Sequence, residues 1–107
     1  MGAKLSIFSS SNADLQKRIR HLALDSSKVF FTAHVQDRML ERQVTDLEVL
    51  HCLQEGVIER PPQRDRANHE VKCRMEHFGS SRNLAVVVVL SDEDPDLLVV
   101  TVMTRTR

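Results

Sequence analysis

At 107 residues the chain has the length of one domain and is too short for two independent cores. Hydrophobic residues make up 41% and charged residues 28%, the balance of a soluble globular protein; aromatics are 4%, all phenylalanine, which argues against an RNA-binding sheet built on stacked rings. Formal net charge is zero, but four of the 15 acids (Asp92, Glu93, Asp94 and Asp96) fall in the single stretch SDEDPD, so elsewhere 15 bases face 11 acids and the body is mildly basic.

Residues 1–12 read as a flexible leader and 13–107 as a single α+β domain. MGAKLS fits an N-myristoylation pattern through Gly2 and Ser6, but such short matches arise by chance, and a plain disordered start is the better reading. Ile7 and Phe8 give way at once to serines, so no signal peptide is visible, and the longest apolar run, LAVVVVL at 84–90, is far too short to span a bilayer. The expected setting is the cytoplasm.

Asp14 or Asn12 can cap a first helix, ADLQKRIRHLAL, whose apolar stripe is Leu15, Ile19, Leu22 and Ala23 and whose other face carries Lys17, Arg18, Arg20 and His21. A second helix runs from an N-cap at Thr32 to about Arg42, with Val35, Met39 and, at the margin of the stripe, Leu40 facing inward. The third has the clearest start in the chain, a capping box of Thr45 and Glu48, and Gly56 is expected to end it in a left-handed conformation.

Beyond Gly56 the period changes from helical to alternating. VIER is a short strand stopped by Pro61 and Pro62, and PPQRDRAN is a polar loop. VKCRM alternates with Val71, Cys73 and Met75 inward, GSSRN is a turn, and LAVVVVL and LLVVTVM are nearly continuous apolar strands on either side of the acidic loop. Consecutive strands joined by short turns predict helices packed on one face of an antiparallel four-stranded sheet.

Within the second helix His34, Arg38 and Arg42 are spaced one turn apart, so they form a column of positive or protonatable groups. Glu41 can pair with Arg38 at three residues' spacing, which neutralises the column only in part. The plain reading is a solvated helix face whose arginine stems cover apolar surface. The sharper reading is a phosphate-handling site, in which an imidazole moves a proton and two guanidinium groups hold a phosphate by forked hydrogen bonds.

The sheet adds further bases. Lys72 and Arg74 project opposite the inward residues of their strand, Arg105 and Arg107 follow the last apolar run, and Arg82 sits in a turn. The candidate nucleic-acid-binding residues are therefore Lys72, Arg74 and Arg82, against the alternative of an ordinary wet sheet face.

Cys52 and Cys73 lack CxxC spacing and read as buried, reduced thiols. The five histidines fall in different elements, and no pair has zinc-ligand spacing, so no metal is expected. Three scattered glycines make no Walker loop, and there is no nucleophile elbow; no cofactor is expected.

The run F-T-x-H-x-x-x-R-M-x-x-R-x-V-T from Phe31 to Thr45, the later L-x-x-G-x-I-x-x-x-P from Leu53 to Pro62, the valine-rich strand and the closing V-x-T-V at Val99 to Val102 resemble the bacterial family called domain of unknown function 4258. The resemblance covers roughly residues 29–103. It implies the fold of small RelE-like toxins, two helices on an antiparallel sheet, and with it a metal-independent ribonuclease that directs a ribose 2′-hydroxyl at the next phosphate. His34, Arg38 and Arg42 match the helix motif and become the candidate catalytic residues. The implied partners are RNA and an antitoxin protein. Two positions depart from the family: Gln43 stands where a glycine is common, and Met103 where an aromatic residue often ends the strand.

Two functions follow. One is a RelE-like RNA endonuclease, the toxin of a toxin–antitoxin pair. The other is a non-catalytic interaction module on the same scaffold, with its arginines held in buried ion pairs. Exposure of His34 separates them, because a proton-transferring histidine must open to solvent beside the cations. A homodimer through VIER or the first helix is compatible with either.

Overall fold

The apolar stripe of the first helix is buried as its period requires: Leu15, Ile19 and Leu22 lie inward in α1, Asn12–Leu22. Its N-cap is neither Asn12 nor Asp14 but Ser11, whose hydroxyl accepts from the Asp14 N–H at 3.1 Å. The computed structural model describes residues 10–78 and 83–106. The proposed leader up to Ser9, the myristoylation match, Arg82 and Arg107 lie outside the described residues.

Two of the bases expected on the outer face of α1 act as clamps. The Arg20 guanidinium donates to the Gly56 carbonyl from Nε at 2.9 Å and Nη2 at 2.7 Å, and Arg18 donates to the Pro95 carbonyl at 2.8 and 3.2 Å. A single 3₁₀ turn, Ser26–Lys28, then leads into β1, Val29–Phe31. The next helices are α2, Ala33–Arg42, and α3, Asp46–Glu55. Thr32 caps α2 by accepting from the Val35 N–H, and α3 carries the expected capping box between Thr45 and Glu48.

Gln43 joins α2 to α3 at φ 55° and ψ 45°, a left-handed conformation that costs a side chain roughly 1–2 kcal/mol relative to glycine. Gly56 does not: its φ is −77° and ψ 177°, extended backbone open to any residue. The expected left-handed stop is therefore corrected. Glycine is needed there for space, since an added Cβ would stand 2.4 Å from the Cys52 carbonyl oxygen and 2.9 Å from that of Glu76.

The strands are β2, Val57–Ile58; β3, Gln63–Asp65; β4, Glu70–Phe78; β5, Asn83–Ser91; and β6, Leu98–Thr106. The sheet has six strands, not four, in the order β1-β6-β5-β4-β2, with β3 also on β4. It is mixed, because β1 runs parallel to β6 through Val29↔Leu98, Phe30↔Val99 and Phe31↔Val100. The two unexpected strands explain themselves. β1 is three residues long, too short for a period, and β3 lies within the stretch read as a polar loop and has all three residues exposed, so it shows no alternation.

Helices and sheet meet over one core. Val71, Cys73, Met75, Leu84, Val86, Val88, Leu90, Leu98, Val100 and Met103 form the covered face, with Leu53, Val49 and Cys52 of α3 and Val35 and Met39 of α2 above them. The opposite face follows from the register in two rows, Lys72–Val89–Val99–Phe30 and Arg74–Val87–Val102. A bulge in the β5–β6 pairing decides which way Val102 points. The register skips Thr101, whose hydroxyl donates to the Val87 carbonyl at 3.3 Å, so Met103 turns inward and Val102 stays 46% exposed.

Two predictions follow from this packing. Gly56→Ala should lower stability by about 1–3 kcal/mol, because both obstructing atoms are backbone; a chemical-denaturation midpoint equal to wild type would refute the close-packing account. Burial raises the Cys52 thiol to about 12, with the nearby Glu76 carboxylate adding to it, and raises Cys73 to about 11. A raised thiol favours the folded state below its ordinary value of 9.0, and that contribution is lost as pH climbs through the folded values. Native protein at about pH 8 should leave both cysteines unmodified by a thiol reagent, with both reacting only after unfolding.

Candidate functional site

α2 follows β1 by one residue, and this decides where its polar column goes. β1 lies along β6 only as far as Val100, after which Thr32 donates its N–H to the Val100 carbonyl at 3.3 Å and the chain turns up into the helix. Val35 and Met39 fix the rotation of α2 by burying themselves in the core. The positions one residue before Val35 and Met39 then face the second half of β6. His34, Arg38 and Arg42 line a cleft of about 210 Å³ with Val35 on the helix and Val102, Met103 and Thr104 on the strand.

The three predicted residues are thus brought together, and all three are exposed. Arg38 has a carboxylate at hand, with Nη1 3.9 Å from Glu41 Oε1, but both side chains are well exposed, so the pair is weak. His34 is not buried against a carboxylate.

The sheet bases stand apart from the column. Arg74 lies two strands from Val102 across the uncovered face, about 10 Å at ordinary strand spacing. It is half-buried, and its Nε sits 3.6 Å from Glu76 Oε2, in an ion pair on its own strand. Lys72 is exposed and lines a separate polar hollow of about 400 Å³ with Gln63, Arg64, Asp65, Arg66, Glu70 and Val89. Arg105 belongs to β6, whose outer half borders the cleft.

Sequence reasoning found the helix side of the cleft and missed the strand side. The bulge at Thr101 turns Val102 outward and Met103 inward, and a run as uniformly apolar as LLVVTVM carries no sign of that shift. Among the described residues no group of three or more His, Cys, Asp or Glu side chains could hold a metal, and no helix is long and apolar enough to cross a membrane.

A further hollow, about 420 Å³, lies on the other flank of α2 and is lined by Val29, Phe30, Phe31, Gln36, Met39, Leu40, Val44 and Asp46. It carries no histidine or arginine.

No curated protein and no solved structure matches the chain. A family model does, described as domain of unknown function (DUF4258), over residues 31–104, from the end of β1 through the bulged part of β6. That span holds both walls of the cleft and most of the sheet, and the chain belongs to this family.

Proposed function

We propose that the cleft between α2 and β6 handles a phosphodiester and that the protein is a metal-independent, RelE-like RNA endonuclease of the cytoplasm, the toxin of a toxin–antitoxin pair. The observation that carries this reading is the exposure of His34 beside Arg38 and Arg42 on the wall of one open cleft.

The chemistry asks little more of the site. The His34 imidazole takes the proton of a ribose 2′-hydroxyl, whose oxygen attacks the adjacent phosphorus. The bond from phosphorus to the 5′ oxygen breaks, leaving a 2′,3′-cyclic phosphate, and the departing oxygen takes a proton from solvent. Arg38 and Arg42 donate to the non-bridging oxygens, where negative charge grows in the transition state. Arg74 and Lys72, farther along the uncovered face, would lie under a strand leaving the cleft across Val102 and Val87.

The runner-up is a non-catalytic interaction module. It draws on the ion pairs Arg38–Glu41 and Arg74–Glu76 and on the zero net charge, which weakens any general attraction to RNA.

Incubation of the purified protein with single-stranded RNA in a metal chelator tests the choice. Cleavage to cyclic-phosphate ends is expected, lowered about a hundredfold or more by His34→Ala, with Arg38→Ala and Arg42→Ala similarly impaired while still folded by circular dichroism. Intact RNA with folded wild type would leave the interaction module as the better account.

A further inference from the structure

The cleft has a feature that phosphate chemistry does not use. In the lane beside β6, β1 occupies only the stretch opposite Leu98–Val100, while β6 continues to Thr106. The other wall of that lane is the column of α2. A strand edge presents N–H and C=O groups together. Phosphate oxygens can accept from the former but only repel the latter, whereas a peptide backbone answers both.

Two other edges of the sheet are closed by side chains or turns. Gln16 of α1 accepts the Ile58 N–H of β2 at 2.8 Å, which also covers the edge expected to dimerise through VIER. On β1 the Val29 N–H returns to the Ser26 carbonyl, and the Phe31 carbonyl accepts from Gln36 Nε2 at 2.9 Å. The outer half of β6 pairs with β5 on one side, and on its β1 side no strand lies beside it among the described residues.

The spacing of the column selects the guest. Four residues at a rise of about 1.5 Å each set Arg38 and Arg42 about 6 Å apart along the helix. Side chains on one face of an extended strand recur every second residue, about 6.6 Å apart. An added strand with acids at alternate positions would therefore place consecutive carboxylates opposite consecutive guanidinium groups, each able to accept a forked pair of hydrogen bonds.

We infer that the lane beside the outer half of β6 is a docking site for an extended acidic segment of a partner protein, which adds to the sheet as a strand and sets alternate Asp or Glu side chains on Arg38 and Arg42. This is strand addition with the α2 column as its specificity element. Such a segment would cover His34, so under the nuclease reading it is also an inhibitor; that consequence rests on the proposed function, and the docking itself does not.

The probe is a blocked pentapeptide, acetyl-Val-Glu-Val-Glu-Val-amide, titrated into the full chain by calorimetry and by amide NMR. Binding is expected with shifts concentrated at residues 101–104, weakened about tenfold by Arg38→Gln or Arg42→Gln. It should be abolished when alternate peptide amides are N-methylated, and the version with Lys in place of Glu should not bind.

Equal binding of the N-methylated peptide would overturn strand addition, and equal binding of the Lys version would overturn the role of the arginines. No binding of the acidic peptide, or occupation of the cleft only by inorganic phosphate or an RNA oligonucleotide, overturns the proposal as a whole. Self-association of the free protein through residues 101–104 does so as well, by making a second copy the occupant. RNA cleavage in the same samples reports on the nuclease reading separately, since a peptide that binds a protein without nuclease activity supports the docking site alone.

Discussion

The parallel pairing of β1 with the start of β6 is the contact on which the rest of the site depends. It joins residues nearly 70 positions apart, Val29 with Leu98, and it lasts only three residues. Because it stops at Val100, the chain must leave the sheet at Thr32, and the Thr32 cap turns that exit into a helix at once. The core then takes Val35 and Met39, and the geometry of the helix leaves His34, Arg38 and Arg42 no face but the one toward β6. A longer β1 would have filled the lane that the column now overlooks.

Arg18, Arg20, Arg74, Arg38 and Arg42 are set apart by what each guanidinium meets. Arg18 and Arg20 reach across the fold to backbone carbonyls at Pro95 and Gly56, satisfying acceptors at the ends of other elements and fastening α1 over the sheet. Arg74 lies half-buried against Glu76. Arg38 and Arg42 are exposed in the cleft, and Arg38 makes a long, exposed contact with Glu41. Positive charge that remains near solvent on one side of a cleft, in a protein of zero net charge, is a local feature and not a consequence of overall composition.

Strain and close approach mark the joints. Gln43 holds a left-handed backbone between α2 and α3, and the Cys52 and Glu76 carbonyls leave no room for a methyl group on Gly56. Both joints set how α3 lies on β4 and β5, where Cys52 donates weakly to the Met75 and Leu84 carbonyls from a site that keeps its thiol neutral.

The sequence by itself determined the three helices, the strands β2 and β4 to β6, the inward residues of α1 and β4 and the alignment of His34, Arg38 and Arg42, since all of these rest on local periods and caps that span a few turns. It also led to the family, through the His34–Arg38–Arg42 helix motif together with the later Leu53–Pro62 and Val99–Val102 stretches. β1 and β3 were not legible, because three residues carry no period and their partners lie elsewhere in the chain. The outward turn of Val102 was not legible either, since a bulge shifts facing without changing composition. What only the tertiary structure decided is that the column faces the outer half of β6 instead of bulk solvent, because the length of one non-local strand pairing places α2 there.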